Sequence, residues 1–320
     1  MPKNNEGTRY VSMSLEEVFG NEDIVNTVII SEFAESSLDV AGDTAIKLNR
    51  GFGRNTRHIA PGPYIPQGDV TAVLSASFFP YIAYGLGKYR YANNIHYFWN
   101  TDGRIAPSYQ IAVGKDKVEH VFFGCILSSL NLSCDKEYAD CTASYVCKKD
   151  LLNGPAKGIQ DLNPIKEEPI SFSQVQINLD GRDITRTQVL KALSISIENN
   201  ADAESGVGLG DIHTKQIVLG EATATVSFER LFLDTEFLTM FKEGEKHSLE
   251  VSFTDNANNY VKFYFPALYI SNVEQKASGR EAINQPITLE AMAGNCMLGD
   301  EIINTDFMIS VSNEETEYTF

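Results

Sequence analysis

The second half of this chain repeats the layout of the first, and no other feature limits its fold as strongly. Gly68-Asp69-Val70-Thr71-Ala72-Val73-Leu74-Ser75 reads against Gly220-Glu221-Ala222-Thr223-Ala224-Thr225-Val226-Ser227. Each copy runs into a short aromatic-rich segment, Phe78 to Gly85 in one and Leu231 to Phe241 in the other. A second alternating run follows in each (Ser108 to Val113; Ser248 to Phe253), then a third (His120 to Leu132; Tyr260 to Val273). The third run carries Phe123-Gly124-Cys125 in one half and Phe265-Pro266-Ala267 in the other. A period of roughly 150 residues suits one domain per copy, not the short units of a solenoid.

Alternation at every second residue is the mark of half-buried strands, so each copy is expected to be antiparallel β with one short helix. The expected fold class is all-β: two tandem β-sandwich domains, each with a short flanking α-helix. The expected boundaries are an N-terminal segment over 1–25, a first sandwich over 26–150, a linker over 151–170, a second sandwich over 171–295 and an acidic extension over 296–320. Leu151 to Pro169 holds Pro155, Pro164, Pro169, Gly154 and Gly158, the composition of a linker between separate sheets. Ser14 to Gly20 has a Ser N-cap, Glu17 three residues on and a Gly stop, which predicts a short helix. Asp180-Gly181 predicts a two-residue hairpin turn, and Val189 to Ile197 is matched in type with Thr44 to Leu48.

Charge is unevenly placed. Residues 1–160 hold 15 Lys and Arg against 17 Asp and Glu, whereas 161–320 hold 11 against 26, within an overall net charge of −17. Tight binding to a phosphate backbone needs clustered cations, so the chain is not built to hold nucleic acid. An acidic surface suits a protein that nucleic acid must slide past; a solubility charge or a salt-tolerant source would leave the same composition. No run of about 18 apolar residues occurs, and Met1 to Glu6 has no apolar core behind its charge, so neither a membrane span nor a signal peptide is expected. Cys125, Cys134, Cys141, Cys147 and Cys296 form neither Cys-x-x-Cys pairs nor an even framework, and are read as free thiols in a reducing compartment.

The usual chemical motifs fail on inspection. Gly206-Val207-Gly208-Leu209-Gly210 lacks the lysine and the parallel strand of a phosphate loop. Asp202, Glu204 and Asp211 in the same loop do not have EF-hand spacing. There is no Gly-x-Ser-x-Gly elbow, and the five histidines are scattered. No catalytic residue, metal site or cofactor is expected. Two long loops in matching places are the candidate contact elements. The first, Arg50 to Gln67, carries Phe52, Arg54, Arg57, His58 and Tyr64; the second, Asn199 to Lys215, carries Asp202, Glu204 and Asp211. The first is basic and stiffened by proline, the second acidic and loosened by glycine, and the two are expected to meet across subunits. Trp99 sits in an aromatic insertion, Tyr89 to Asp102, that the second half lacks; an interface contact is favoured over a sugar-stacking platform.

Gly53-Arg54, the turn-rich loop to Pro66 and Gly68-Asp69-Val70-Thr71 resemble the first half of the major tail tube proteins of long-tailed phages and related archaeal tailed viruses. Phe172 to Leu179 with Asp180-Gly181, Val189 to Asn200, Gly220 to Ala224, Phe237 to Phe241, Phe265-Pro266, Gly279 and Ile287 to Met292 resemble the second. The resemblance covers about residues 35–295. It implies a structural virion protein, not an enzyme, whose two-domain chains form trimeric, pseudo-hexameric rings that stack into a tube. Its implied partners are itself, the tape-measure and other tail proteins, and DNA passing through an acidic lumen supplied mainly by the second half. Assembly in the host cytoplasm is implied too. The alternatives are another ring-forming tail part, a terminator or baseplate hub, or a two-domain carbohydrate-binding protein.

Overall fold

The computed structural model describes residues 9–23, 29–41, 45–48, 58–100, 103–274, 283–299, 301–315 and 318. The first half contains β1 (Tyr10–Leu15), β2 (Ile29–Ser31), β3 (Ala34–Ser36), β4 (Asp39–Ala41), β5 (Ala45–Leu48), β6 (His58–Pro61) and β7 (Ile65–Val73). Helix α1 (Phe79–Ala83) follows, then β8 (Gly87–Ala92), β9 (Ile95–Asn100), β10 (Tyr109–Lys115), β11 (Val118–Cys134), β12 (Asp140–Val146) and β13 (Lys149–Leu152). The second half begins with β14 (Val175–Leu179), β15 (Arg182–Asp183), α2 (Ile184–Thr187), β16 (Leu190–Glu198), β17 (Ala201–Asp202), β18 (Val218–Leu219) and β19 (Thr223–Leu231). It ends with α3 (Glu236–Glu243), β20 (His247–Thr254), β21 (Tyr260–Val273), β22 (Asn284–Ala291), β23 (Gly294–Leu298), β24 (Glu301–Thr305) and β25 (Met308–Ser312). The fold is all-β with antiparallel pairing and few short helices.

Two long strands organise it. Strand β11 turns a corner at Gly124, where φ is +61°, and its register slips between Leu127 and Ser129. Before the corner it pairs with β10 and β13; beyond it, with β12 on one side and β16 on the other. Strand β21 does the same around Pro266, with β20 and β25 before the corner, β22 after it, and a slip between Ile270 and Asn272. Bulges let one strand serve two sheets by bending it and adding local twist.

The expectation of separate sheets joined by a linker is corrected here. Because β11 is 17 residues long, its far end reaches β16 of the second half, with Ser129 to Cys134 set against Glu198 to Leu193. One sheet therefore runs through both halves in the order β7, β12, β11, β16, β19, β22, β21, with β3 and β4 on the free side of β7. The main core is likewise shared: Phe79 of α1 packs edge-on against Phe263 of β21 at 5.7 Å. The Pro- and Gly-rich stretch is tied down, with Ile165 N–H donating to Ile30 and Ile170 N–H to Leu74.

Two local expectations also change. Ser14 to Gly20 is not a helix; Tyr10–Leu15 is a strand paired with β10, and its residues are almost all buried. The acid one residue before the expected capping partner, Glu16, accepts from the N–H groups of Gly20 and Gly124 at 2.8 Å each and from Ser108 Oγ at 2.7 Å. Tertiary pairing thus overrides a local capping pattern. The strand matched to Thr44 to Leu48 is misplaced as well: among the described residues β5 pairs with β6 alone, and the counterpart of β16 is β3 with β4. The Asp180-Gly181 turn is present, with φ of 50° and 75° joining β14 to β15.

The matched glycines have a physical cause. A side chain on Gly68 would stand 2.7 Å from Leu38 Cα, and one on Gly220 would stand 2.9 Å from the Asn200 carbonyl oxygen. In each half the neighbouring strand breaks at that place, between β3 and β4 and between β16 and β17, and backbone crosses backbone too closely for a Cβ.

Candidate functional site

One face of the continuous sheet covers the core; the other is open, and its chemistry is uniform. Strand alternation sends Val70, Ala72, Cys141, Ala143, Leu130, Leu132, Ile195, Ile197, Val226, Phe228, Ile287 and Leu289 inward. Their neighbours form rows across the open face, at right angles to the strands. One row runs Thr71, Thr142, Asn131, Ser196, Thr225, Glu290, Tyr269. The row below runs Val73, Asp140, Ser133, Ser194, Ser227, Thr288, Asn272. Hydroxyls bridge the strands: Thr71 and Thr142 lie 3.2 Å apart, Ser144 donates to Asp69 at 2.6 Å, Ser227 to Thr288 at 3.3 Å, and Tyr269 to Glu290.

The charges on this face have one sign. Asp69, Asp140, Glu198, Glu229 and Glu290 lie on it, with Glu35 at the β3 edge, so both halves supply the acid. Among the described residues of these strands the cations are Lys191, at the lower rim against Asn284, Arg230, which points inward, and Lys262, which lies before the β21 corner and pairs with Glu250 of β20. Arg230 is fully buried; Gln285 (2.7 Å), Gln188 (2.6 Å) and Asp234 (3.0 Å) hold its guanidinium over the Phe237 ring.

The two long loops were expected to meet across subunits; at the upper rim they meet inside one chain. Tyr64 N–H donates to the Ile212 carbonyl at 3.1 Å, and the Tyr64 ring packs edge-on against His213 at 4.9 Å. Burial, with Asp150 beside it, pushes the Tyr64 hydroxyl up to about 12. Below them Ala203, Ile217 and Leu219 pack on Ala106 and Ile126, next to Ile65 and Val146, so the second-half loop sits on the first half. Asp202 accepts from Ser205 and Asp211 from the His213 N–H, and these hydrogen bonds hold both carboxyls below their ordinary value. Glu204 opens a 3-10 turn between β17 and β18. His58 opens β6 opposite Leu48; Phe52, Arg54 and Arg57 lie outside the described residues.

Trp99 is neither a free platform nor on the open face. Together with Tyr97 and Tyr264 it packs under Cys296, Leu298 and Met308. The aromatic insertion is the β8–β9 hairpin, and the C-terminal segment supplies its partner: Phe98 stands opposite Ile309 and His96 opposite Val311. His96 is fully buried; its Nε2–H donates to the Glu315 carbonyl at 3.0 Å, and Nδ1 accepts from Tyr89 at 2.9 Å. This pairing was missed from sequence, although Asn93-Asn94, both at positive φ, is a hairpin-turn signal.

Groups able to do bond chemistry are scattered. The close pairs His120–Asp150 (2.6 Å) and His247–Asp180 (2.7 Å) have no nucleophile completing them in the described contacts. Among the described residues no group of three or more His, Cys, Asp or Glu is placed to hold a metal ion, and no helix is long and apolar enough to cross a membrane.

The broadest polar feature of the described residues is the hydroxyl and carboxylate face of the continuous sheet. Residues 10–291 match the family described as phage tail tube protein, and the chain belongs to that family: it is a structural, non-enzymatic component of the virion tail. No curated protein matches the chain.

Proposed function

We propose that three copies of this chain close into a pseudo-sixfold ring, that rings stack into the tail tube, and that the open sheet face lines the channel through which DNA leaves. One observation carries the reading: the far end of β11 already accepts β16 inside a single chain. The other long strand, β21, repeats that arrangement without its partner. Beyond Leu268 its side opposite β22 pairs with no strand among the described residues. At the other end of the sheet, β3 and β4 pair with β7 and present a second edge of the same kind. Joining β21 of one copy to β3 and β4 of the next repeats the internal junction and covers both of these edges. On this reading the two halves are duplicated tube domains, and the chain is a fused pair of neighbours.

A closed ring turns the acidic, hydroxyl-rich face into a continuous surface. DNA carries one negative charge per ~1.7 Å of axis, so a wall of like charge gives it no site at which to stop. The tape-measure and other tail proteins would occupy or cap the same channel during assembly. Negative-stain microscopy and native mass spectrometry of the purified chain test the reading: trimeric rings and stacked tubes are expected, and a monomer at all concentrations would overturn it.

A further inference from the structure

Cys125 and Cys147 stand opposite each other at the corner of β11, and the register on either side fixes them there. Before the corner Phe123 is the partner of Lys149; beyond it Ile126 is the partner of Val146. Stepping inward from both ends sets Gly124 against Lys148 and Cys125 against Cys147. The strands approach closely at this point, since a Cβ on Gly124 would stand 2.8 Å from Lys148 Cβ. Both thiols are fully buried members of the main core. Residues opposed in an antiparallel pair have Cα atoms about 4.5–5.5 Å apart, inside the span of roughly 4.4–6.8 Å that a disulfide bridges. The other three thiols face aliphatic residues across their strands: Cys141 faces Leu132 and Ala72, Cys134 faces Leu193, and Cys296 faces Ile303. Burial first, and then the neighbouring Cys147, push the Cys125 thiol up, so the pair stays as two thiols while the corner is closed.

We propose that Cys125 and Cys147 are a latent disulfide site, which closes when the chain passes from a reducing to an oxidising medium. A component of the virion tail meets such a medium once the particle is outside a cell. The oxidant is a small-molecule disulfide. One cysteine thiolate displaces a sulfur of the reagent as a thiolate and forms a mixed disulfide. The second cysteine thiolate then displaces the remaining reagent sulfur. The pair loses two protons and two electrons, and the reagent is reduced to two thiols. Because both sulfurs are buried, the rate follows opening of the corner. The bond ties β11 to the run of β12 and β13 at the place where β11 passes between sheets. It restricts the unfolded chain more than the folded one, and so raises resistance to unfolding without altering the open face.

The test uses the full chain, purified with reductant, freed of it, and incubated with oxidised glutathione in urea below the unfolding midpoint. Hydrogen exchange at the amides of residues 121–127 reports when the corner has opened. Thiols that react after denaturation are expected to fall from five to three, and to return to five with reductant. Peptide mapping should find Cys125 joined to Cys147, and the joined protein should unfold at higher urea than the reduced one. Cys147→Ala should stop at the mixed disulfide, with glutathione held on Cys125. Five free thiols in the wild type after those amides have exchanged would overturn the assignment. So would a bond between any other two cysteines, or glutathione retained on Cys125 or Cys147 of the wild type.

Discussion

Ser129 of the first half stands directly across the sheet from Glu198 of the second, as the first of six cross-strand partners that bind the halves into one sheet. Interleaved with the polar residues on this stretch of β16, Ile195 and Ile197 are fully buried in the shared core. The junction is thus polar on the open side and apolar on the other. The two halves cannot separate without exposing that apolar side.

Truncating Ile195 to Ala should cost about 2–5 kcal/mol, the usual range for a large-to-small change in a packed core. Because the sheet is continuous, the loss should appear in both halves together. In urea titrations of a variant that does not polymerise, Trp99 fluorescence and far-UV circular dichroism should shift to one common lower midpoint. Two separated midpoints would mean that the halves fold independently.

Arg230 is a second fixed point, a fully buried guanidinium with three hydrogen-bond partners and an aromatic ring beneath it. Arg230→Ala would leave Gln285 and Gln188 without their donor and should cost about 3–5 kcal/mol. Arg230→Lys should recover only part of that, because an ammonium cannot reproduce the fork. Denaturant midpoints of the two variants check the order.

Glu16 supplies the pH prediction. Burial raises its carboxyl above the ordinary 4.5, although the Gly124 and Gly20 N–H groups and Ser108 pull the other way. A folded pKa above the unfolded one means that the folded state holds the proton more tightly. The associated stability is complete below 4.5 and is lost as pH rises through the folded value. Comparing wild type with Glu16→Gln by urea unfolding from acid to neutral pH should give a wild-type advantage that shrinks as pH rises. An advantage that grows instead would show that the three donors outweigh burial.

The five cysteines are all buried and free. Burial pushes the Cys134 and Cys296 thiols up to about 11, in Cys134 with Asp135 adding to it. Since the thiolate is the reacting species, native protein should show almost no reaction with a disulfide reagent at neutral pH, and all five should react after denaturation. Rapid native labelling of one or more would place that thiol outside the core.

What the sequence made legible depends on how local the cause is. Gly68 and Gly220 could be matched because each answers to one backbone crossing nearby, and Asp180-Gly181 because a two-residue turn is decided by two residues. Ser14 to Gly20 misled because a capping pattern is local too, yet Tyr10–Leu15 gains more from burial between β2 and β10. The partnership of the β8–β9 hairpin with β25 joins residues more than 200 positions apart, as His96 and Glu315 do at a separation of 219, and no spacing rule reaches that far. The acid of the open face was visible as composition. Its placement was not, because alternation says which residues share a face and only the core says which face is covered.

That placement makes the lining testable by reversing it. Thr142, Ser196 and Thr225 lie in one row of the open face, half-buried and polar, and exchanging them for Lys leaves the buried side of every strand untouched. Tubes of the triple variant should assemble as wild type does. If the row lines the channel, each copy then adds three cations to a wall that carried none in that row, and the wall changes from one that DNA slides past into one that holds it. Retention should weaken steeply with salt, with log affinity falling by about 0.9 per phosphate neutralised for each tenfold rise in salt concentration. Particles carrying the variant should release their DNA more slowly at low salt than at high salt, while wild-type release should respond less. Equal release from both at every salt concentration would remove this face from the channel and leave the ring architecture to be judged by microscopy alone.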